Sequence, residues 1–149
     1  MPTEIEQIED KIITAIKDAL DFRVVETWPD QADLDELLRN TLTLPACYLI
    51  YGGTRHGEKK IIGGSASDKD QAFRLTIILE NLRQSVKDGQ RGAYQYIEEI
   101  VGNSTSAGII KGITLAPIPG YLWPVDDSLI EVKYGKFAYG IELHRSSIR

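Results

Sequence analysis

The side chains able to do chemistry in this chain are few and dispersed. One cysteine, Cys47, and two histidines, His56 and His144, stand far apart in 149 residues, whereas a zinc site takes three or four protein ligands. Cys47 lies in the apolar run Ala46-Cys47-Tyr48-Leu49-Ile50-Tyr51, so it reads as an inert core thiol rather than a nucleophile. The stretch Gly52–Gly64 has the glycines of a phosphate loop, but Gly57 is followed by Glu58, where a Walker loop needs Lys and then Ser or Thr. No Gly-x-Ser-x-Gly elbow is present. The acids Asp30, Asp33, Asp35 and Glu36 fit the start of a helix, where the dipole favours carboxylates. A glycosidase pair would need an aromatic-walled sugar cleft beside them. A Ser-His-Asp set drawn from distant residues stays open at this level. The expectation is a protein that is not an enzyme, with no catalytic residues, no cofactor and no metal.

Charge and composition narrow the partners. Lys and Arg number 17 against 22 Asp and Glu, a net charge of −5. Binding to a phosphate backbone depends on clustered Lys and Arg releasing counterions, so DNA is not expected to be held. Two local basic stretches stand out, one with Arg55, His56, Lys59 and Lys60, the other with Arg83, Lys87 and Arg91. Both are interrupted by acid or glycine, which reads first as solvated loop charge. A lone cysteine cannot form an internal disulfide and fits a reducing compartment. The acidic opening lacks the basic start of a secretory signal, and no apolar run reaches the roughly 20 residues of a membrane span. These features predict a soluble, cytoplasmically made protein, one domain over 1–149.

The elements that would carry these residues follow from periodicity. Thr3 with Glu6 has capping-box spacing, and Ile5, Ile8, Ile12 and Ile16 then recur at helical steps. Arg23–Trp28 reads as a strand stopped by Pro29, and a short helix is expected from Gln31 to Asn40. Ala46–Tyr51 reads as a strand leading into a long Gly-rich hairpin. Phe73, Leu75, Ile77 and Leu79 alternate with more polar neighbours, the mark of a strand covered on one face. Asn81–Arg91 reads as irregular, followed by a second helix from Gly92 to Val101 with Gly102 as its stop. Ile113–Ala116 is expected to be a strand. Three prolines make 117–124 irregular, with Trp123 inside it as a contact residue or as packing over a sheet edge. Ser128–Tyr134 and Phe137–His144 form a hairpin through Gly135-Lys136, which suits a type II′ turn. The tail from Arg145 is expected to be loose. The fold class is α+β: a mostly antiparallel sheet with two main helices packed on one face.

Several of these segments, taken in order, carry a family resemblance. They are Ile5–Asp10, Arg23–Asp30, Leu44–Tyr51, the long strand ending near Leu82, Gly92-Ala93-Tyr94 at a helix start, and Phe137–Leu143. Together they resemble the small protein encoded just ahead of the tail-sheath gene in Mu-like phages and prophages, over nearly the whole chain. The resemblance implies an element order similar to that of tail terminators, which cap the tail tube and join it to the head. It also implies a structural protein of the virion, made in the host cytoplasm, with DNA only passing through a lumen. Its partners would be copies of itself in a ring, the tail tube or sheath, and head-completion proteins. No catalytic residue comes with the resemblance. Under this reading Arg55, His56, Lys59, Lys60, Arg83, Lys87, Arg91 and Trp123 are the candidate assembly contacts. The competing expectations are a small-molecule-binding or regulatory domain, and less favoured, a small hydrolase.

Overall fold

The computed structural model describes residues 3–29, 33–40, 43–56, 69–80 and 86–146. Helix α1 spans Glu4–Ala19 and begins as its spacing predicts: the Glu6 amide donates to Thr3 Oγ1 at 3.1 Å. Strand β1 (Val24–Thr27) pairs parallel with β2 (Ala46–His56), and helix α2 (Leu34–Asn40) lies between them in the chain. Strand β3 (Lys69–Glu80) pairs antiparallel with β2. Helix α3 (Val86–Val101), a 3-10 turn at Ile110–Gly112, β4 (Tyr121–Lys133) and β5 (Lys136–Ser146) complete the order. The sheet runs β1-β2-β3-β5-β4, antiparallel at every junction except β1 with β2.

The pleat of β3 explains the layers. Phe73, Leu75, Ile77 and Leu79 meet Ile8, Ile12 and Ile16 of α1 and Ile97 and Ile100 of α3 in one buried core. The two main helices thus share one face, as their apolar stripes require. Ile78, one step out of phase, turns to the other face and packs with Leu37 and Leu38 of α2, Tyr48 and Ala138. Because α2 is one short helix, it covers only one end of that face; Ile50 on the same face is exposed.

Several sequence expectations are corrected. The strand through Cys47 does not end at Tyr51: a register shift between Tyr51 and Gly53 absorbs the glycines, and β2 continues to His56. Helix α3 starts at Val86, six residues before the glycine expected to open it; Gly89 and Gly92 lower helix propensity without forbidding it. Ile113–Ala116 is not a strand, since a β-former becomes one only where a neighbour offers a ladder. The prolines at 117–124 do not keep the chain irregular either: β4 begins at Tyr121 and holds Pro124, which an edge strand tolerates because the missing N–H can fall on the side where no ladder donor is required.

The end of the chain is the largest correction. Arg145 and Ser146 are the last residues of β5 and are buried, not a loose tail. Arg145 stands between Gln71 and Leu122 in register. Its guanidinium donates to Gln71 Oε1 at 2.9 Å and the Pro119 carbonyl at 2.5 Å, and pairs with Glu4 Oε1 at 2.8 Å. A charge with 1% of its side chain exposed is tolerated only with such partners. Gly120 beside it has φ +103°, and a Cβ there would fall 1.8 Å from the Ser146 carbonyl oxygen. Only glycine fits.

The closing hairpin turns at Tyr134-Gly135, one residue earlier than expected. Both residues have positive φ, 55° and 71°, the signature of a type I′ rather than a type II′ turn. Tyr134 is held there by α2: its hydroxyl donates to Asp35 Oδ1 (3.1 Å) and accepts from Arg39 (3.0 Å), while Lys133 Nζ donates to Asp35 at 2.7 Å. The Lys133 hydrogen bond, chiefly, holds the Asp35 carboxyl below its ordinary range.

Candidate assembly surface

Strand β4 closes one side of the sheet and is the most exposed element of the described chain. Leu122 is its only buried residue, and every residue from Val125 to Lys133 is exposed. Register sets the two faces. Asp127, Leu129 and Val132 pair with Ile141, Tyr139 and Phe137 on the α1–α3 side; Asp126, Ser128 and Glu131 pair with Glu142, Gly140 and Ala138 on the α2 side. Register shifts at Pro124/Asp126 and Leu129/Glu131 push Val125 and Ile130 out of strict alternation. Ile130 then lies across Gly140, where a Cβ would stand 2.7 Å from its Cδ1. The outcome is a 13-residue edge strand on which Val125, Leu129, Ile130 and Val132 stay 36–48% exposed, distributed over both faces and interleaved with acids. Four exposed apolar side chains on one strand make this edge the described element best suited to contact another molecule.

At the Tyr121 end a second feature continues this surface. The Trp123 ring is half-buried and lies tilted between two others, its centroid 5.2 Å from that of Tyr121 and 6.0 Å from that of His144. His144 Nδ1 stands 3.0 Å from Asp70 Oδ2, and Nε2 stands 3.5 Å from Glu142 Oε2. A catalytic imidazole presents one nitrogen to a hydroxyl and the other to a carboxylate. Here both nitrogens face carboxylates, so the arrangement orders the row without activating a nucleophile.

Other groups are held in unreactive states. Burial pushes the Cys47 thiol up to about 12, which leaves no thiolate near neutral pH. A cleft of about 280 Å³ between α1 and α3 is lined by Leu20, Asp21, Tyr96 and Glu99. In it, Tyr96 donates to Asp21 Oδ1 at 2.8 Å, and burial with this contact raises its hydroxyl to about 12. Among the described residues no three His, Cys, Asp or Glu side chains converge to hold a metal. No described helix is long and apolar enough to cross a membrane.

The sequence-selected contacts are dispersed. Arg55 and His56 end β2, paired with Asp70 and Lys69. Asp70 pairs in turn with Ser146, and Ser146 with Tyr121, so Arg55, His56 and Trp123 share one end of the sheet. Lys87 and Arg91 belong to α3 rather than to a loop, and the chain reaches α3 from the opposite end of β3. Lys59, Lys60 and Arg83 lie outside the described residues. Sequence reasoning found Ser128–Tyr134 as a strand but missed the outer half of β4 as a candidate surface; the one available signal was Pro124 inside a β-rich run, which by itself indicates an edge.

No protein-family model and no curated protein matches the sequence. Among solved structures, a chain of the virion of a native gene transfer agent (GTA) particle is similar over 96% of this chain and 90% of that one, with 11% identity and a TM-score of 0.43. A likeness this distant assigns no function.

Proposed function

We propose that this chain is a structural, non-enzymatic protein of a Mu-like phage or prophage virion, a tail terminator or neck protein that caps the tail tube and joins it to the head. The observation that carries this reading is the outer half of β4, a long acidic and apolar edge with exposed side chains on both faces. A protein that works by assembly needs such a surface, and a small soluble enzyme has no use for it. The ordered resemblance of its segments to the protein encoded ahead of the tail sheath supplies the place of that assembly. A chain of this length has a radius of gyration of about 15 Å, too small to enclose a DNA-wide channel alone. Copies must therefore close head-to-tail into a ring, and a net charge of −5 lets DNA slide through without adhering. The partners are copies of the chain, the tail tube or sheath, and head-completion proteins, met in the host cytoplasm and retained in the virion.

A phage or prophage lacking the gene tests this. Tubes of uncontrolled length, or tails detached from filled heads, are the expected particles in electron micrographs. Head-attached tails of normal length would eliminate the role and leave a small-molecule-binding function in the α1–α3 cleft as the next reading.

A further inference from the structure

We propose that the outer half of β4, Val125–Val132, seats a cationic, apolar segment of a different protein. The inference rests on the assembly reading above and names the partner's chemistry. Charge is the first ground. Asp126, Asp127 and Glu131 interleave with the exposed apolar side chains, and the one cation at the end of this stretch, Lys133, is already held 2.7 Å from Asp35. Arg74, on the same α2-side face as Asp126, stands 3.9 Å from Glu142. The edge therefore presents three carboxylates among exposed apolar side chains, and the two described cations beside them, Arg74 and Lys133, are already shared with Glu142 and Asp35. A segment bearing Lys or Arg between apolar residues complements both properties, while a phosphate backbone is repelled.

A second copy of this chain is a poor occupant on the same grounds. A two-fold contact through β4 gathers Asp126, Asp127 and Glu131 from both copies and supplies no free cation, and like charges across such a pairing are destabilising. A head-to-tail contact through β4 needs a matching apolar surface elsewhere. Among the described residues, six of the eight large exposed hydrophobics lie on β4 or its turn; the other two, Ile50 and Tyr94, sit on separate elements, so the ring contacts of the assembly reading lie off this strand. Strand addition is blocked as well. Pro124 has no N–H, and the two register shifts break the outer ladder into short pieces. The partner packs side chain against side chain, as a helix or loop does.

The test uses the full chain and a labelled 14-residue amphipathic helix of Leu and Lys, with the same peptide carrying Glu for Lys as its control. Fluorescence anisotropy should show the Lys peptide binding, more weakly as salt rises, and the Glu peptide not binding. Asp126→Asn/Asp127→Asn/Glu131→Gln and, separately, Leu129→Ser/Ile130→Ser should each weaken binding by about tenfold or more, with unchanged circular dichroism. Asp18→Asn/Glu98→Gln/Glu99→Gln, which removes the same charge from exposed positions on α1 and α3, should change it less than about twofold. Equal losses in the two triple variants would reduce the effect to net charge and overturn the site. So would failure of the Lys peptide to bind, equal binding of the Glu peptide, or a dimer in sedimentation equilibrium that Leu129→Ser/Ile130→Ser dissolves. Because the measurement uses the isolated chain, its failure leaves the tail-defect experiment standing. Normal tails in the deletion strain would equally leave this site standing, with a partner outside the particle.

Discussion

Arg145 shows what a single residue can hide in a sequence. Its type and its place near the end of the chain point to a solvated tail, yet it is buried, because its partners Glu4, Gln71 and Pro119 arrive from three remote segments. Arg145→Leu is expected to lower stability by about 2–4 kcal/mol in urea unfolding, by stranding Gln71 and the Pro119 carbonyl. Glu4→Gln should cost less than about 1 kcal/mol, since Glu4 is half exposed. Cys47, by contrast, was legible, because an apolar run announces burial directly. Burial raises its thiol from an ordinary 9.0 to about 12, and burial with Asp21 raises the Tyr96 hydroxyl from 10.0 to about 12. The folded state thus holds both protons more tightly than the unfolded chain does. The stability they contribute is complete below about pH 9 and is lost as pH climbs through 12. Denaturant midpoints should fall across that window, and Cys47→Ala should flatten the slope. Thiol reagents near neutral pH should label Cys47 only on unfolding.

At the scale of elements, local rules succeeded where local interactions decide. Helix α1 was readable because its cap, its first-turn acids and its apolar stripe lie within 16 residues. Ile12 is fully buried in that stripe, so Ile12→Asp should cost several kcal/mol (about 3–5) in thermal unfolding, an unpaired charge being among the costliest of substitutions. The segment Ile113–Ala116 has strand composition and no strand, while β4 tolerates a proline because it is an edge; both outcomes depend on neighbours that propensity does not describe. The Tyr134-Gly135 turn sets two local effects against each other. Left-handed backbone costs a bulky residue about 1–2 kcal/mol, more than Asn pays. The contacts of Tyr134 with Asp35 and Arg39 are exposed and screened by solvent, so they return only part of that cost. Tyr134→Asn is therefore expected to raise the melting temperature slightly, by roughly a degree or two at most in a thermal scan.

For the whole molecule, the class and the one-face placement of α1 and α3 followed from their stripes. The strand order and the face taken by α2 did not, since pairing across 74 residues leaves no mark in local periodicity. The same distance hid the His144–Asp70 contact and the bare outer half of β4, and so the candidate surface itself. Chemical inertness is testable at this scale. Nucleotides, Mg²⁺ or Zn²⁺ should leave the melting temperature unchanged, because Glu58 stands where a phosphate loop needs Lys and the described donors do not converge. A specific ligand at a hundredfold excess over Kd would instead add about 2.7 kcal/mol of stability.

The order β1-β2-β3-β5-β4 places the last strand made between two made before it. A chain emerges from the ribosome N-terminus first, so β3 and β4 must wait with open edges until residues 136–146 appear. Neither can take the other as a substitute without leaving Phe137, Tyr139, Ile141 and Leu143 out of the core. Folding of this sheet during synthesis is therefore deferred until residues 136–146 have emerged. A nascent chain stalled before Lys136 should remain sensitive to protease throughout, whereas one extended beyond Ser146 by a linker should become resistant in a single step.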